Sequence, residues 1–141
     1  MILLPPELRF VLRANDIARR APDRDGLAAP DPVPVVKFFN PCGAATWLAT
    51  ELDRDGDTLF GLADLGFGCP ELGSFSLSEL ANVRLPFGLG IERDLSFASV
   101  HPLSAWTEWA RRAGSILWAE PLLRRATGKP ANDELPPPSE S

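Results

Sequence analysis

The most constraining stretch of this chain is residues 46–64, T-W-L-A-T-E-L-D-R-D-G-D-T-L-F-G-L-A-D, two apolar runs joined through Asp55-Gly56. Asp-Gly is a preferred pair for a two-residue type I′ turn, because both central positions need a positive φ. The stretch therefore predicts a β-hairpin with strands over 46–53 and 58–65. Taken literally, the turn pairs Leu52 with Leu59, Thr50 with Gly61 and Leu48 with Ala63 on one face. It pairs Glu51 with Phe60, Ala49 with Leu62 and Trp47 with Asp64 on the other. The first face is the more uniformly apolar and is expected to look into the core. Asp53-Arg54-Asp55-Gly56-Asp57 also begins like a calcium loop, but Thr58 stands where such a loop needs glycine. The hairpin explains the same residues with fewer assumptions.

The flanking segments extend this hairpin into a domain. Residues 71–75 read as a further strand, followed by Ser76-Leu77-Ser78-Glu79, a capping box with Phe75 and Leu80 at the staple positions. A helix is expected over 77–83. Val35-Val36-Lys37-Phe38-Phe39 is β-prone and closed by Asn40-Pro41, and 91–100 alternates well enough for a fifth strand. Pro5 and Pro6 suit a helix start, and Leu8, Val11, Leu12 and Ile17 form its expected buried stripe. Pro102 opens a C-terminal helix over 102–120, with Leu103, Trp106, Ala110, Ala113 and Leu117 as its buried stripe; Pro121 stops or kinks it. The expected architecture is a single α+β domain over 1–126: an antiparallel sheet of about five strands with helices packed on one face. Residues 21–34, with four prolines, read as a surface loop, and 127–141 as a disordered tail.

Composition narrows the functional classes. A chain of 141 residues with 45% hydrophobic residues can build one real core. Its net charge of −5 has the wrong sign for the basic footprint of a nucleic-acid binder. Two cysteines are too few for a disulfide scaffold, and no apolar run approaches the ~20 residues that cross a bilayer. The opening Met-Ile-Leu-Leu-Pro-Pro-Glu lacks the basic start of a signal peptide, so a cytoplasmic protein without membrane contact is expected.

Several motifs occur together and in order: L-L-P-P-E-L (3–8), K-F-F-N-P (37–41), T-W-L-A-T-E-L-D (46–53), F-G-L (60–62), E-L-G-S-F-S-L-S-E-L (71–80) and I-E-R-D-L-S-F (91–97). Over residues 3–103 the chain resembles a family of small bacterial proteins catalogued as a domain of unknown function. Its members are common on plasmids, integrative elements and phages. The resemblance implies a small cytoplasmic domain in a mobile-element setting and implies no reaction. The loop at 21–34 and the tryptophan-bearing C-terminal helix depart from the compact members.

The candidate residues follow from chemistry. Glu51, Glu92 and Asp94 are candidate catalytic residues if the faces of their strands coincide, since three carboxylates can gather a divalent metal or divide acid and base roles. Against this stands a solvated face with Arg93 or Lys37 as ion partners. Extending the hairpin register outward brings Cys42 opposite Cys69, with His101 as an imaginable third zinc ligand, but the spacing of a zinc site is missing. No cofactor and no metal are expected. The aromatic content is skewed, with four Trp, eight Phe and no Tyr. Trp109 and Trp118 fit the helical stripe poorly, and exposed Trp is enriched at interfaces. Trp47 beside Lys37 could stack a base, a reading that the acidic balance weakens. The expected binding residues are Trp47, Arg93, Trp109 and Trp118. The expected function is a non-enzymatic, mobile-element accessory protein that binds a protein partner, with a host defence component as one target. The alternatives are a metal-dependent hydrolase or nuclease using the carboxylates, and a nucleic-acid-binding module.

Overall fold

In a computed structural model, residues 1–21 and 30–127 are described. Most of the expected loop (22–29) and all but the first residue of the expected tail (128–141) lie outside them. The elements run α1 (Pro6–Arg20), β1 (Val36–Phe39), β2 (Thr46–Leu52), β3 (Thr58–Asp64), β4 (Glu71–Ser76), α2 (Leu77–Ala81), a 3₁₀ turn (Pro86–Gly88), β5 (Glu92–Arg93), α3 (Leu103–Ala113) and α4 (Ile116–Thr127). The five strands form one antiparallel sheet in the order β4-β3-β2-β1-β5, an α+β domain as expected. No helix among the described residues is long and apolar enough to cross a membrane.

The β2–β3 hairpin forms, but with a different turn. Only Gly56 in the turn has a positive φ, at 75°, so a type I′ pair is not what closes it. Instead the Asp53 amide donates to the Thr58 carbonyl at 2.8 Å, and the Asp55 carboxylate accepts from the amides of Asp57 and Thr58 and from the Thr58 hydroxyl. This is an Asx-type closure, in which a side chain stands in for a backbone acceptor.

The register starts as expected, with Leu52 opposite Leu59 and Glu51 opposite Phe60, and then slips by one at Thr50. Beyond the slip Ala49 opposes Gly61, Leu48 opposes Leu62, and Trp47 opposes Ala63. Thr50 is the extra residue of a β-bulge. Gly61 accommodates it: a Cβ there would sit 1.8 Å from the Leu48 carbonyl oxygen, so no side chain fits.

The bulge redistributes the core. Leu48 and Leu52, expected on one face, belong to different clusters. Leu52 and Leu59 pack with Trp47, Ala49, Val36, Phe38 and Leu12 of α1. Leu48 and Leu62 pack with Trp106, Trp109 and Ala110 of α3 and with Ile116 and Leu123 of α4. Every residue of β2 is buried. The helices therefore cover both faces of the sheet rather than one, with α1 on one side and α3–α4 on the other. A strand apolar on both sides of its pleat can be satisfied only this way.

Three helices begin on aspartates that are distant in sequence. For α2, Ser76 accepts from the Glu79 amide as the capping box requires, but Asp57 of the hairpin turn closes the start, accepting from the Ser78 amide at 2.8 Å and from the Ser76 hydroxyl. For α3, the Ser104 amide and hydroxyl both donate to Asp31. For α4, the Ile116 amide donates to Asp64 at 2.9 Å, and the other Asp64 oxygen accepts from the Gly66 amide. Asp64 is fully buried, so those donors are what make its charge tolerable there.

Two further expectations are corrected. The helix over 102–120 is two helices, broken at Gly114 with φ 83°, whose amide closes on the Ala110 carbonyl. The break resets the helical phase, so Leu117 is 42% exposed rather than buried, and Pro121 lies inside α4. The fifth strand is only two residues long. The Asp94 amide still reaches the Lys37 carbonyl, but the Asp94 side chain then takes the Ser96 amide and its carbonyl takes the Phe97 amide, which turns the chain away.

Two measurements check these roles. Hydrogen bonds from the Thr58 hydroxyl and amide and from the Asp57 amide pull the Asp55 carboxyl from its usual 3.8 down to about 2. A folded value below the unfolded one contributes stability that is complete above about pH 4 and lost as pH falls toward 2. Asp55→Ala is expected to lower the melting temperature at pH 7 and to flatten its fall between about pH 4 and 2, read by circular dichroism. Asp64→Ala strands the Ile116 and Gly66 amides in a dry site. It is expected to cost about 3 kcal/mol in urea denaturation, with Asp64→Asn losing less.

Candidate functional site

The polar residues gather in two places, one on each face of the sheet. On the first face α1 is docked with its C-terminal half polar side inward. Leu8 and Leu12 join the core, but the same face of the next two turns carries Asn15, Asp16 and Arg19. Asn15 donates to the carbonyl of Thr50, the bulge residue, at 2.9 Å, and Arg13 to that of Leu52, two residues on, at 2.6 Å. Arg9 reaches the Gly56 carbonyl in the hairpin turn.

Charge completes this contact. Asp16, 4% exposed, pairs with Arg13 at 2.8 Å and Arg20 at 3.1 Å; Arg19 holds Glu51 at 2.6 Å; Arg20 also reaches Asp53 at 3.2 Å. Burial pushes the Asp16 carboxyl up, but the Arg20 and Arg13 hydrogen bonds outweigh it and hold it below the ordinary range. Such a network adds little net stability over apolar packing, yet it fixes which way the helix faces. Val11 and Ile17, expected inside, are 42% and 60% exposed as a result.

On the second face Lys37 of β1 is almost wholly buried. Its Nζ lies 2.8 Å from Oε1 of Glu120 in α4 and 3.4 Å from Oδ2 of Asp94. Beside this clamp opens a cleft of ≈ 610 Å³ lined by Phe97, Trp106, His101, Glu120 and Arg124 among others. Its polar groups are largely engaged with one another. The Trp106 indole donates to Ser99, and His101 Nε2 lies 2.5 Å from the Thr127 hydroxyl and 3.2 Å from the Leu123 carbonyl. Phe97 and Trp106 meet at a ring-centroid distance of 6.0 Å. Chemically, the arrangement clamps β1, the turn after β5 and α4 together.

The three candidate carboxylates are not brought together. Glu51 is 4% exposed and tied to Arg19, Asp94 is tied to Lys37, and Glu92 lies opposite Phe39 on a cleft shared with Met1 and Val83. Among the described residues no group of three or more His, Cys, Asp or Glu side chains forms that could hold a metal. Cys42 and Cys69 are free and exposed, and the β2–β3 ladder has already slipped from the register that paired them.

Two of the binding candidates prove to be core. Trp47 is 8% exposed in the α1-side cluster, so no base can stack on it, and Trp109 is 4% exposed beneath α3 and α4. Arg93 is half-buried opposite Phe38, its amide on the Met1 sulfur and its Nε enclosed without a hydrogen-bond partner among the described residues. Trp118 alone of the four is open, at 71%. Sequence reasoning missed Asp16, Asp64 and the Lys37–Glu120 pair. The one available signal was a charged residue inside an otherwise apolar pattern, Lys37 between Val36 and Phe38.

Fold and polar architecture thus define a two-faced α+β domain that keeps most of its charged groups for its own assembly. The chain belongs to the family described as Protein of unknown function (DUF2958), whose model matches residues 3–117. The match takes in α3, further than the residues 3–103 expected, and ends one residue before Trp118. No curated protein and no solved structure matches the chain.

Removing the buried ammonium tests the clamp. Lys37→Met leaves Glu120 and Asp94 facing each other without a counter-charge and is expected to cost about 3–5 kcal/mol in urea denaturation. Lys37→Met combined with Glu120→Leu is expected to recover much of that loss.

Proposed function

We propose that this protein is a non-enzymatic protein-binding module whose contact surface is the outer side of α4. The observation that carries the reading is Trp118, 71% exposed, with the exposed Leu117 before it and Pro121 one turn on. A large indole left in water next to further apolar surface is the composition of an interface anchor. Arg124 and Arg125, both exposed, supply the polar rim that surrounds such anchors. The internal pairing of Glu51, Asp94, Lys37 and Glu120 supports binding over catalysis, since groups tied to each other are not offered to a substrate. The mobile-element setting implied by the family resemblance supplies the kind of target, a protein of the host such as a defence component. Because the family match ends at Leu117, the Trp118 contact is read as this chain's own specialisation.

The test is affinity capture from host lysate with the wild-type chain and Trp118→Ala. The expected result is a partner retained by the wild type and lost in the variant, with unchanged circular dichroism. Trp109→Ala serves as contrast: it removes a buried indole and is expected to cost about 3–5 kcal/mol of stability. Capture that is the same with and without Trp118 overturns the reading.

A further inference from the structure

The two edges of the sheet are finished differently. β5 is two residues long and leaves little edge to pair with, whereas β4 runs over Glu71–Ser76 with no proline, no lysine and no bulge. Those are the devices that ordinarily close a sheet edge to further strands. The ladder fixes which backbone groups of β4 face outward. The Leu77 amide donates to the Asp57 carbonyl, so residues 71, 73 and 75 are the ones hydrogen-bonded to β3. The amides and carbonyls of Leu72 and Ser74 point away from the sheet, and both residues are exposed. Gly73, between them, is the second observation. Its φ is not positive, and a Cβ there would meet nothing within 4 Å, so among the described residues nothing calls for glycine. Gly61 opposite it is the contrast, with the Leu48 carbonyl in the way of any side chain. A mid-strand glycine costs stability, and one that its own fold does not require marks a place where another backbone comes close.

We propose that β4 pairs antiparallel with β4 of a second copy of the chain, across a two-fold axis at Gly73, joining the two sheets into one. Such an interface must be complementary to itself, and this register is. Leu72 of each copy meets Ser74 of the other, so every outward amide of this pair finds an outward carbonyl. An axis at Leu72 would set Ser74 against Pro70, which has no N–H to give. An axis at Ser74 would set the Leu72 amide against the carbonyl of Ser76, which as the helix cap is turned into α2. With Gly73 on the axis the two glycines are directly opposed. Phe75 then stands diagonal to Gly73 of the second copy, where the missing side chain leaves room for its ring. On the other face Leu72, 43% exposed beside Thr107 and Arg111 of α3, lies diagonal to its own counterpart, and the two cover each other.

Sedimentation of the full chain between about 5 and 300 µM is expected to show mass rising toward that of a dimer. Over the same range the Leu72 and Ser74 amides are expected to exchange with solvent about tenfold more slowly at the high concentration than at the low one. Ser74→Pro removes an outward amide that the single chain does not use, and Leu72→Lys puts a charge on the edge. Each is expected to weaken association by about tenfold or more while leaving the circular dichroism unchanged. Gly73→Cys, in a Cys42→Ser, Cys69→Ser background, then tests the register. Residues opposed in this way lie about 4.5 Å apart at Cα, within the roughly 4.4–6.8 Å that a disulfide spans, so mild oxidation is expected to cross-link it. Glu71→Cys, which this register sets opposite Phe75, is expected to cross-link far more slowly. A chain that stays monomeric throughout, or a dimer that survives both Ser74→Pro and Leu72→Lys, overturns the proposal. So does Gly73→Cys cross-linking no faster than Glu71→Cys. None of these outcomes depends on Trp118, so this inference and the proposed binding surface fail separately.

Discussion

A buried aspartate accepting the first amide of a helix far away in sequence is the interaction on which this fold depends most. Asp64 ends β3, is fully enclosed, and takes the Ile116 amide with one oxygen and the Gly66 amide with the other. A carboxylate in such a place is costly unless its charge is met by donors and a helix dipole. Asp64 therefore forces α4 to begin where it does, which seats Ile116, Ala119 and Leu123 on the sheet. Asp57, partly buried, and Asp31, exposed, likewise accept from the first turns of α2 and α3. The strands and loops carry the acceptors, and the helices dock by offering their N-terminal amides.

The bulge at Thr50 is the second constraint. It places Leu52 on the α1 side of the sheet and Leu48 on the α3–α4 side, in a strand whose residues are all buried beneath helices on each face. Asn15 and Arg13 of α1 meet the carbonyls of Thr50 and Leu52 just there. Polar docking of α1 follows from that, and so does its outward apolar stripe. One slip in register thus connects the core, the ionic network around Asp16 and the surface that α1 shows to water.

The same physics explains why the sites weighed from sequence fared unevenly. Glu51, Glu92 and Asp94 looked like a cluster because strand alternation was extended through the bulge and through a fifth strand that in fact ends at Arg93. Trp109 looked surplus because α3 and α4 were read as one helix. The break at Gly114 lets α4 pack back against α3, so their shared cluster takes in Trp109, while Trp118 on the far side of α4 is left facing water. The Cys42–Cys69 pairing failed for the same reason as the carboxylate cluster. In each case a local periodicity was right over one element and wrong once carried past an irregularity.

What the sequence determined by itself was local and short-ranged. Ser76 as a helix cap, the strands around Asp55-Gly56, the antiparallel order implied by short connections and membership in a family recognisable from ordered motifs all rest on neighbours within a few residues. Tertiary structure decided everything that needed partners from elsewhere: the bulge seated at Gly61, the aspartates that cap helices tens of residues away, the burial of Lys37 between Asp94 and Glu120, and which of the tryptophans face water. The physical reason is that desolvation and electrostatic compensation depend on where distant groups meet. A chain states its hydrogen-bonding groups one by one, but only the fold decides which of them are shut away from water and must find each other.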